Sequence, residues 1–283
     1  MAETARSPWL EAWTVFRRNR AALIGLSLLG LIALMLMLGP LVYPGDPFDI
    51  VGSPMTPPGA EAPLGTDYLG RDVLAGIVRG GRPTVLVGFC AALITACIGI
   101  TIGSLSGYYG STTDRVLGRV VEFFQVLPAL LFAMVLITLF APSLLTVILA
   151  IGVVAWPGMA RLTRAEFLRL KQLDFVRSAR GIGASDARII LQTILPNALP
   201  PIIVSATLAT GSAILFEAGL SFLGLTDPNI MSWGLMIGSS RNYLREAWWA
   251  VTFPGVCIFL TVLGISLVGD GLNDAFNPKL RQR

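Results

Sequence analysis

Few side chains in this 283-residue sequence are equipped for covalent or metal chemistry. It has no histidine, and its three cysteines, Cys90, Cys97 and Cys257, all lie inside apolar runs. That placement offers neither a metal cluster nor a disulfide framework, and it reads as small buried hydrophobes. The lysines, Lys171 and Lys279, do not follow a glycine, so the phosphate-cradling G-x-x-x-x-G-K-[ST] loop is missing. H-E-x-x-H and G-x-S-x-G are missing too, which leaves a metalloprotease or serine hydrolase without support. Energy for any uphill transport must then come from another polypeptide or an ion gradient.

Gradient coupling needs ionisable groups within the membrane, where they are costly and so usually functional. Two carboxylates qualify, Glu122 and Glu217, the latter in AILFEAGLSFLGL at 213–225. Glu122 stands beside Arg119 at a span end, where snorkelling to the interface is the plainer reading. Glu217 falls deeper. It either lines a pathway or locks a helix by hydrogen bonding within the bundle.

These residues must be carried by membrane helices. The chain is 54% hydrophobic and only 13% charged, against about 25% charged in ordinary soluble domains. About 20 apolar residues cross a hydrocarbon core roughly 30 Å thick. Uncharged runs cover 21–43, 83–113, 123–160, 189–216 and 247–269, and the third is long enough for two spans around Ala141-Pro142-Ser143. The expected fold is an all-α polytopic membrane protein with spans at 21–43, 83–109, 120–140, 143–161, 201–222 and 248–269. Between them lie a cytoplasmic N-terminal segment (1–20), outer loops (44–82 and 223–247), an inner loop (162–200) and a tail (270–283).

Orientation follows from the bias of Lys and Arg toward the cytoplasm. Arg17, Arg18, Arg20, Arg115, Arg119, the basic residues of 161–188 and those of the tail fall on one side. Only Arg71, Arg79, Arg82, Arg241 and Arg245 fall on the other. Both termini are therefore expected in the cytoplasm, and the net charge of +4 needs no nucleic acid to explain it. The apolar run after Arg20 is too long for a signal-peptide h-region. Residues 7–20 suit a helix lying on the inner surface, with Ser7 as cap, Pro8 in the first turn, and Trp9, Trp13 and Phe16 on one face.

Gly99, Gly103 and Gly107 form a small-xxx-small stripe that favours close helix packing. Residues 72–78 are expected to form a short amphipathic helix at the outer face, with Val73, Leu74, Ile77 and Val78 toward the bilayer.

The inner loop is the most sharply punctuated segment. Its pattern predicts a helix extending the fourth span through 166–180, a break at Gly181 and Gly183, and a second helix capped by Ser185. Asp186 then sits where the helix dipole favours negative charge, and Ile189, Ile190 and Ile194 supply an apolar stripe. Pro196 is expected to stop that helix, and Pro200 with Pro201 to turn the chain back into the membrane.

This loop resembles the EAA loop of binding-protein-dependent ABC importers. Ala179, Gly183, Leu195 and Pro196 stand at the spacings of that motif, while Arg177, Ser178 and Thr193 depart from it. The segments LGTDYLGRDVL at 64–74, ILFEAGLSFLGL at 214–225, SWG at 232–234 and the run 248–278 extend the resemblance. Together they are similar to the C-type permease subunit of dipeptide, oligopeptide and nickel importers.

The resemblance implies a type I ABC importer permease in the bacterial inner membrane, non-catalytic, with no cofactor of its own. Its implied partners are a second, homologous permease, two ATPase subunits that bind ATP and Mg, and a periplasmic or lipoprotein solute-binding protein. ATPase coupling would fall to Ala179, Gly181, Gly183, Ala184, Ser185, Asp186, Arg188, Leu195 and Pro196. Di- or oligopeptides are the implied cargo, with nickel or another small solute as the alternative. A self-sufficient carrier using Glu217 or Glu122 is the reading from a different class.

Overall fold

A computed structural model describes residues 8–276, with side chains from residue 13 onward. Ser7, the side chain of Trp9, and Lys279, Arg281 and Arg283 lie outside the described residues. Eleven α-helices follow in order: α1 (Pro8–Arg18), α2 (Arg20–Val42), α3 (Val73–Tyr109), α4 (Ser111–Val126), α5 (Ala129–Phe140), α6 (Leu144–Leu170), α7 (Asp174–Gly181), α8 (Asp186–Arg188), α9 (Leu195–Phe222), α10 (Trp233–Ser240) and α11 (Trp249–Phe276). Among the described residues there is no strand, and only two isolated bridges, Ile50 to Arg71 and Thr66 to Asp72, brace the outer loop.

Among the described residues five unbroken helical stretches are long and apolar enough to cross a membrane, and α4 with α5 makes a sixth only as a bent pair. The expected single span over 120–140 is therefore corrected. The helix breaks at Leu127 and Pro128, and α4 and α5 meet at 87°. Proline clashes with a helical backbone at the residue before it, and Leu127 accordingly takes extended angles, φ −69° and ψ 130°. At 12 residues α5 reaches only about 18 Å.

Close helix contact explains the glycine stripe. A Cβ built on Gly99 would lie 2.5 Å from Met159 Cβ, on Gly103 2.5 Å from the Ala160 carbonyl, and on Gly107 2.6 Å from Phe167 Cβ. The stripe is the seam along which α3 meets α6, as the spacing led one to expect.

At the end of α3 away from Tyr109, residues 73–78 are its first turns rather than a separate surface helix. Val73, Ile77 and Val78 are buried within the protein and do not face lipid. Val78 packs on Gly39 of α2, while Val73 and Ile77 share a cluster with Trp233 and Met236 of α10, a helix the sequence reading assigned to loop. Ser232 caps it by accepting from Leu235 N at 3.1 Å, and Trp233 Nε1 donates to the Ile77 carbonyl at 2.9 Å. Trp249 Nε1 donates to Thr66 O at 2.9 Å and ties the outer loop to α11.

The two ends of the described chain also meet. Asn19 caps α2 by accepting from Ala22 N at 3.1 Å, and it donates to Asp274 Oδ2 at 2.9 Å. Phe16 is buried against Ala22 and Ala275, whereas Trp13, stacked on it, is half exposed. The expected common face of Trp13 and Phe16 thus splits between protein and surroundings.

Candidate functional site: the inner knuckle and the buried carboxylate

The segment between α6 and α9 is built from three backbone devices. The first ends α6. A single helix over 166–180 was expected, but α6 stops at Leu170 and α7 starts only at Asp174. The turn between them closes through Leu173 N to Leu170 O at 3.0 Å. Lys171 at the break donates its Nζ to the Tyr108 carbonyl at the end of α3, where a cation meets the negative end of the helix dipole. That long-range capture competes with helix continuation, and local propensity does not foresee it.

The second device is the glycine break. Gly183 adopts φ +82°, Ala184 N bonds to Ala179 O at 3.1 Å, and Gly183 N bonds to Arg180 O at 3.0 Å. This pair of bonds is a Schellman motif, which needs a left-handed residue at the position Gly183 fills. Ala179 and Ala184 pack against the same buried cluster at its base. Gly181 is the last residue of α7.

The third device restarts the helix. Ser185 accepts from Arg188 N at 3.4 Å, and Asp186 follows in the first turn. After Arg188 the chain passes through one π-helical segment, Ile189–Ile194, and continues into α9. Asp186–Phe222 is thus one helical rod of 37 residues. The expected stop at Pro196 and turn at Pro200 and Pro201 are both overturned. Pro196 follows directly on the π-helical segment, where the regular bonding is already shifted, Leu195 N bonding to Ile190 O, so its missing N–H falls at an existing irregularity of the rod. Pro200 and Pro201 lie within α9, flanked by Ala198 and Ile202, both buried in the cluster that also holds Ile189, Ile190 and Ile194. Burial along that face outweighs a local penalty of about 3 kcal/mol per interior proline.

Tyr108 organises this knuckle. Its hydroxyl donates to Asp186 Oδ1 at 2.5 Å, and its ring lies 5.6 Å from Lys171 Nζ and 5.7 Å from the Arg180 guanidinium. Nearby, Arg164 of α6 forks onto Asp114 of α4 with bonds of 2.5 and 2.6 Å, and Ser106 of α3 donates to the same carboxylate at 2.5 Å. Sequence reasoning passed over Tyr108, Asp114 and Arg164. The one available signal was a run of tyrosines closing the glycine stripe just before Gly110.

The surface of the knuckle is apolar at its tip. Ile182 is 86% exposed and Leu191 60% exposed, while Gly181, Gly183, Ser185, Asp186, Arg188 and Pro196 are all exposed around them. Ala179, Ala184 and Leu195 are half-buried and form its footing.

The two intramembrane candidates separate cleanly. Glu122 is exposed and paired with Arg119 at 3.1 Å, one turn away. Glu217 is 2% exposed, and its Oε1 accepts from Ser221 at 2.7 Å and from Ser232 at 2.9 Å, while Oε2 has no partner. The carboxylate therefore bridges α9 to the N-cap of α10. It does not line the cavity of about 290 Å³ that lies between α3, α6 and α9, a mainly apolar space in which Thr95, Ser205 and Ser212 are the polar residues.

A bundle of membrane-length helices with a glycine-hinged knuckle on one end is shared with known transport permeases. Residues 99–282 match the family described as binding-protein-dependent transport system inner membrane component, and the chain belongs to that family. It is the non-catalytic membrane component of an ABC transport system. Residues 7–58 match the N-terminal transmembrane domain of oligopeptide transport permease C.

Among its relatives is the di/tripeptide transport system permease protein DppC of Pseudomonas aeruginosa, 39% identical over 97% of this chain and 93% of the relative. The dipeptide transport system permease protein DppC of Haemophilus influenzae is also 39% identical, over 98% and 97%. A chain of the MetNI methionine ABC transporter in an inward-facing conformation superposes with a TM-score of 0.61 at 22% identity, over 71% of this chain and 95% of that one. That likeness is one of fold.

Proposed function

We propose that this chain is one of two membrane subunits of an ATP-driven importer of di- and oligopeptides in the bacterial inner membrane, with both termini cytoplasmic. The peptide reading rests on the dipeptide permeases it resembles over nearly its full length. A homologous permease, two ATPases carrying ATP and Mg, and an external solute-binding protein complete the assembly.

One observation carries the mechanism. The exposed knuckle leads directly into a continuous helix from Asp186 to Phe222 that runs past the cavity between α3, α6 and α9 to Glu217. At 1.5 Å per residue, that rod is about 55 Å long. Seating Ile182 and Leu191 in a groove of an ATPase would let nucleotide-driven closure tilt the whole rod. Packed interfaces hold discrete arrangements, so the tilt would switch the cavity between inward and outward access. Glu217 then serves as a lock that keeps α10 moving with α9, and not as a proton relay.

The test is Gly183→Trp. The backbone at φ +82° strains any residue with a side chain, although no atom stands within 4 Å of a Cβ there. The variant should insert normally yet lose ATPase subunits on detergent extraction and lose transport. Undiminished association and transport would overturn the coupling assignment. The ligand of the co-encoded solute-binding protein tests the peptide assignment separately.

A further inference from the structure

A cavity of about 480 Å³ opens between α3, α4 and α6 at their basic ends. Its lining includes Arg115, Arg119, Arg161 and Arg164, together with Asp114, Glu122 and Gln125. Both carboxylates are already engaged, Asp114 by Arg164 and Glu122 by Arg119. Two guanidinium groups are left over from different helices. Arg115 makes no ion pair among the described residues, and Arg161 reaches only the Gln125 side-chain oxygen, at 3.5 Å.

The helix carrying Arg115 supplies a second observation. α4 is bent 87° from α5 and packs by one side on α6, Asp114 on Arg164 and Val121 beside Trp156 and Ala160. Val116, Val120 and Phe123 recur at helical spacing on its exposed side, at 57%, 39% and 63% exposure, next to the row that carries Arg115, Arg119 and Glu122. A basic hollow bordered by an exposed apolar stripe matches an amphiphile with an anionic head, and planar guanidinium forks suit phosphate oxygens. Basic pockets between spans on the cytoplasmic side are where anionic headgroups settle.

We propose that this hollow binds the phosphodiester headgroup of an anionic phospholipid of the inner leaflet, with Arg115 and Arg161 as its ligands and the Val116, Val120 and Phe123 stripe against the acyl chains. The proposal rests on the cytoplasmic placement of these arginines argued above. Lipid occupancy would brace α4 against α6 beside the Asp114–Arg164 fork.

The test is lipid retention by the full chain in its assembled complex, read by native mass spectrometry after exchange into equal phosphatidylglycerol and phosphatidylcholine. Wild type should keep phosphatidylglycerol at least about fivefold over phosphatidylcholine. The R115Q/R161Q double variant should lose that preference. So should Gly118→Trp, which keeps every arginine and fills the hollow from a position with no atom within 4 Å of its Cβ. Equal retention of the two lipids by wild type would overturn the site, as would an unchanged preference in both variants. Displacement of phosphatidylglycerol by millimolar inorganic phosphate, with no effect of acyl chains on affinity, would assign the hollow to a soluble anion and overturn the lipid. The readout does not use transport, so a failed lipid site and a failed importer reading remain distinguishable.

Discussion

Tyr108 and Asp186 stand 78 residues apart in the chain and share a 2.5 Å hydrogen bond that fastens the end of α3 to the start of the Asp186–Phe222 rod. Asp186 therefore has two duties. It favours the helix start through the dipole, and it tethers the knuckle to the α3–α6 seam. A coupling element held only by its own turns would flex under load, whereas one tied to the bundle passes displacement into it.

Tyr108→Phe should keep the ring against Lys171 and Arg180 and remove only the hydroxyl. A lost charge-assisted bond is worth about 1.5–3 kcal/mol where shielded and less at this half-open site. The expected outcome is ATP hydrolysis that persists while transport per ATP falls several-fold. Asp186→Ala should lose the same bond together with the helix-start contribution, and the double variant should be no worse than Asp186→Ala alone. Additive losses in a double-mutant cycle on the reconstituted complex would show that the bond is incidental.

The glycine seam predicts a contrast within one family of substitutions. Gly103→Leu places its first carbon 2.5 Å from the Ala160 carbonyl, so α3 and α6 must separate and the folded bundle should be lost. Gly158→Ala, with nothing within 4 Å, should leave assembly intact and gain about 0.5–1 kcal/mol from helix propensity. Monodispersity and thermal unfolding in detergent measure both.

Glu217 offers a way to separate locking from proton relay. Glu217→Gln keeps an oxygen for Ser221 and Ser232, so the link from α9 to α10 should survive, with near-normal transport. Glu217→Ala removes the acceptor shared by Ser221 and Ser232, of which Ser221 keeps Thr226 Oγ1 at 3.1 Å, and opens a void, at a cost of about 2–5 kcal/mol. That variant should assemble poorly. A stable but inactive Gln variant would instead mean that the acid itself is needed.

What could be read from residue order was local in origin. Apolar runs foretold long apolar helices because span length is fixed by the bilayer, but not the bend at Leu127 and Pro128. The glycine break was legible because a Schellman turn demands a left-handed residue, which Gly183 supplies. What escaped was tertiary. Nothing around Lys171 announces that its amine will cap α3, and nothing around Asp186 points to Tyr108. The prolines misled for the same reason, since the burial of Ala198 and Ile202 decides whether the helix runs through Pro200 and Pro201. Pro128 shows the opposite balance. Leu127 beside it is only half-buried and Pro128 is exposed, and there the helix does break.

The exposed tip of the knuckle makes the last prediction the most direct. Ile182 and Leu191 bury little within this chain, so Ile182→Asp and Leu191→Asp should leave its folding and membrane insertion unchanged. An apolar side chain of this size contributes about 1.5–3 kcal/mol when fully buried, so seating it in a partner groove would make its loss costly. Each variant should weaken ATPase association by about tenfold or more, and the pair should abolish it. Co-purification of the ATPase subunits across a salt and detergent series measures this. Stable chains that still hold their ATPases would show that the tip is not the gripping surface, and would move the search to the other exposed apolar residues of the loop, Leu173 and Phe175.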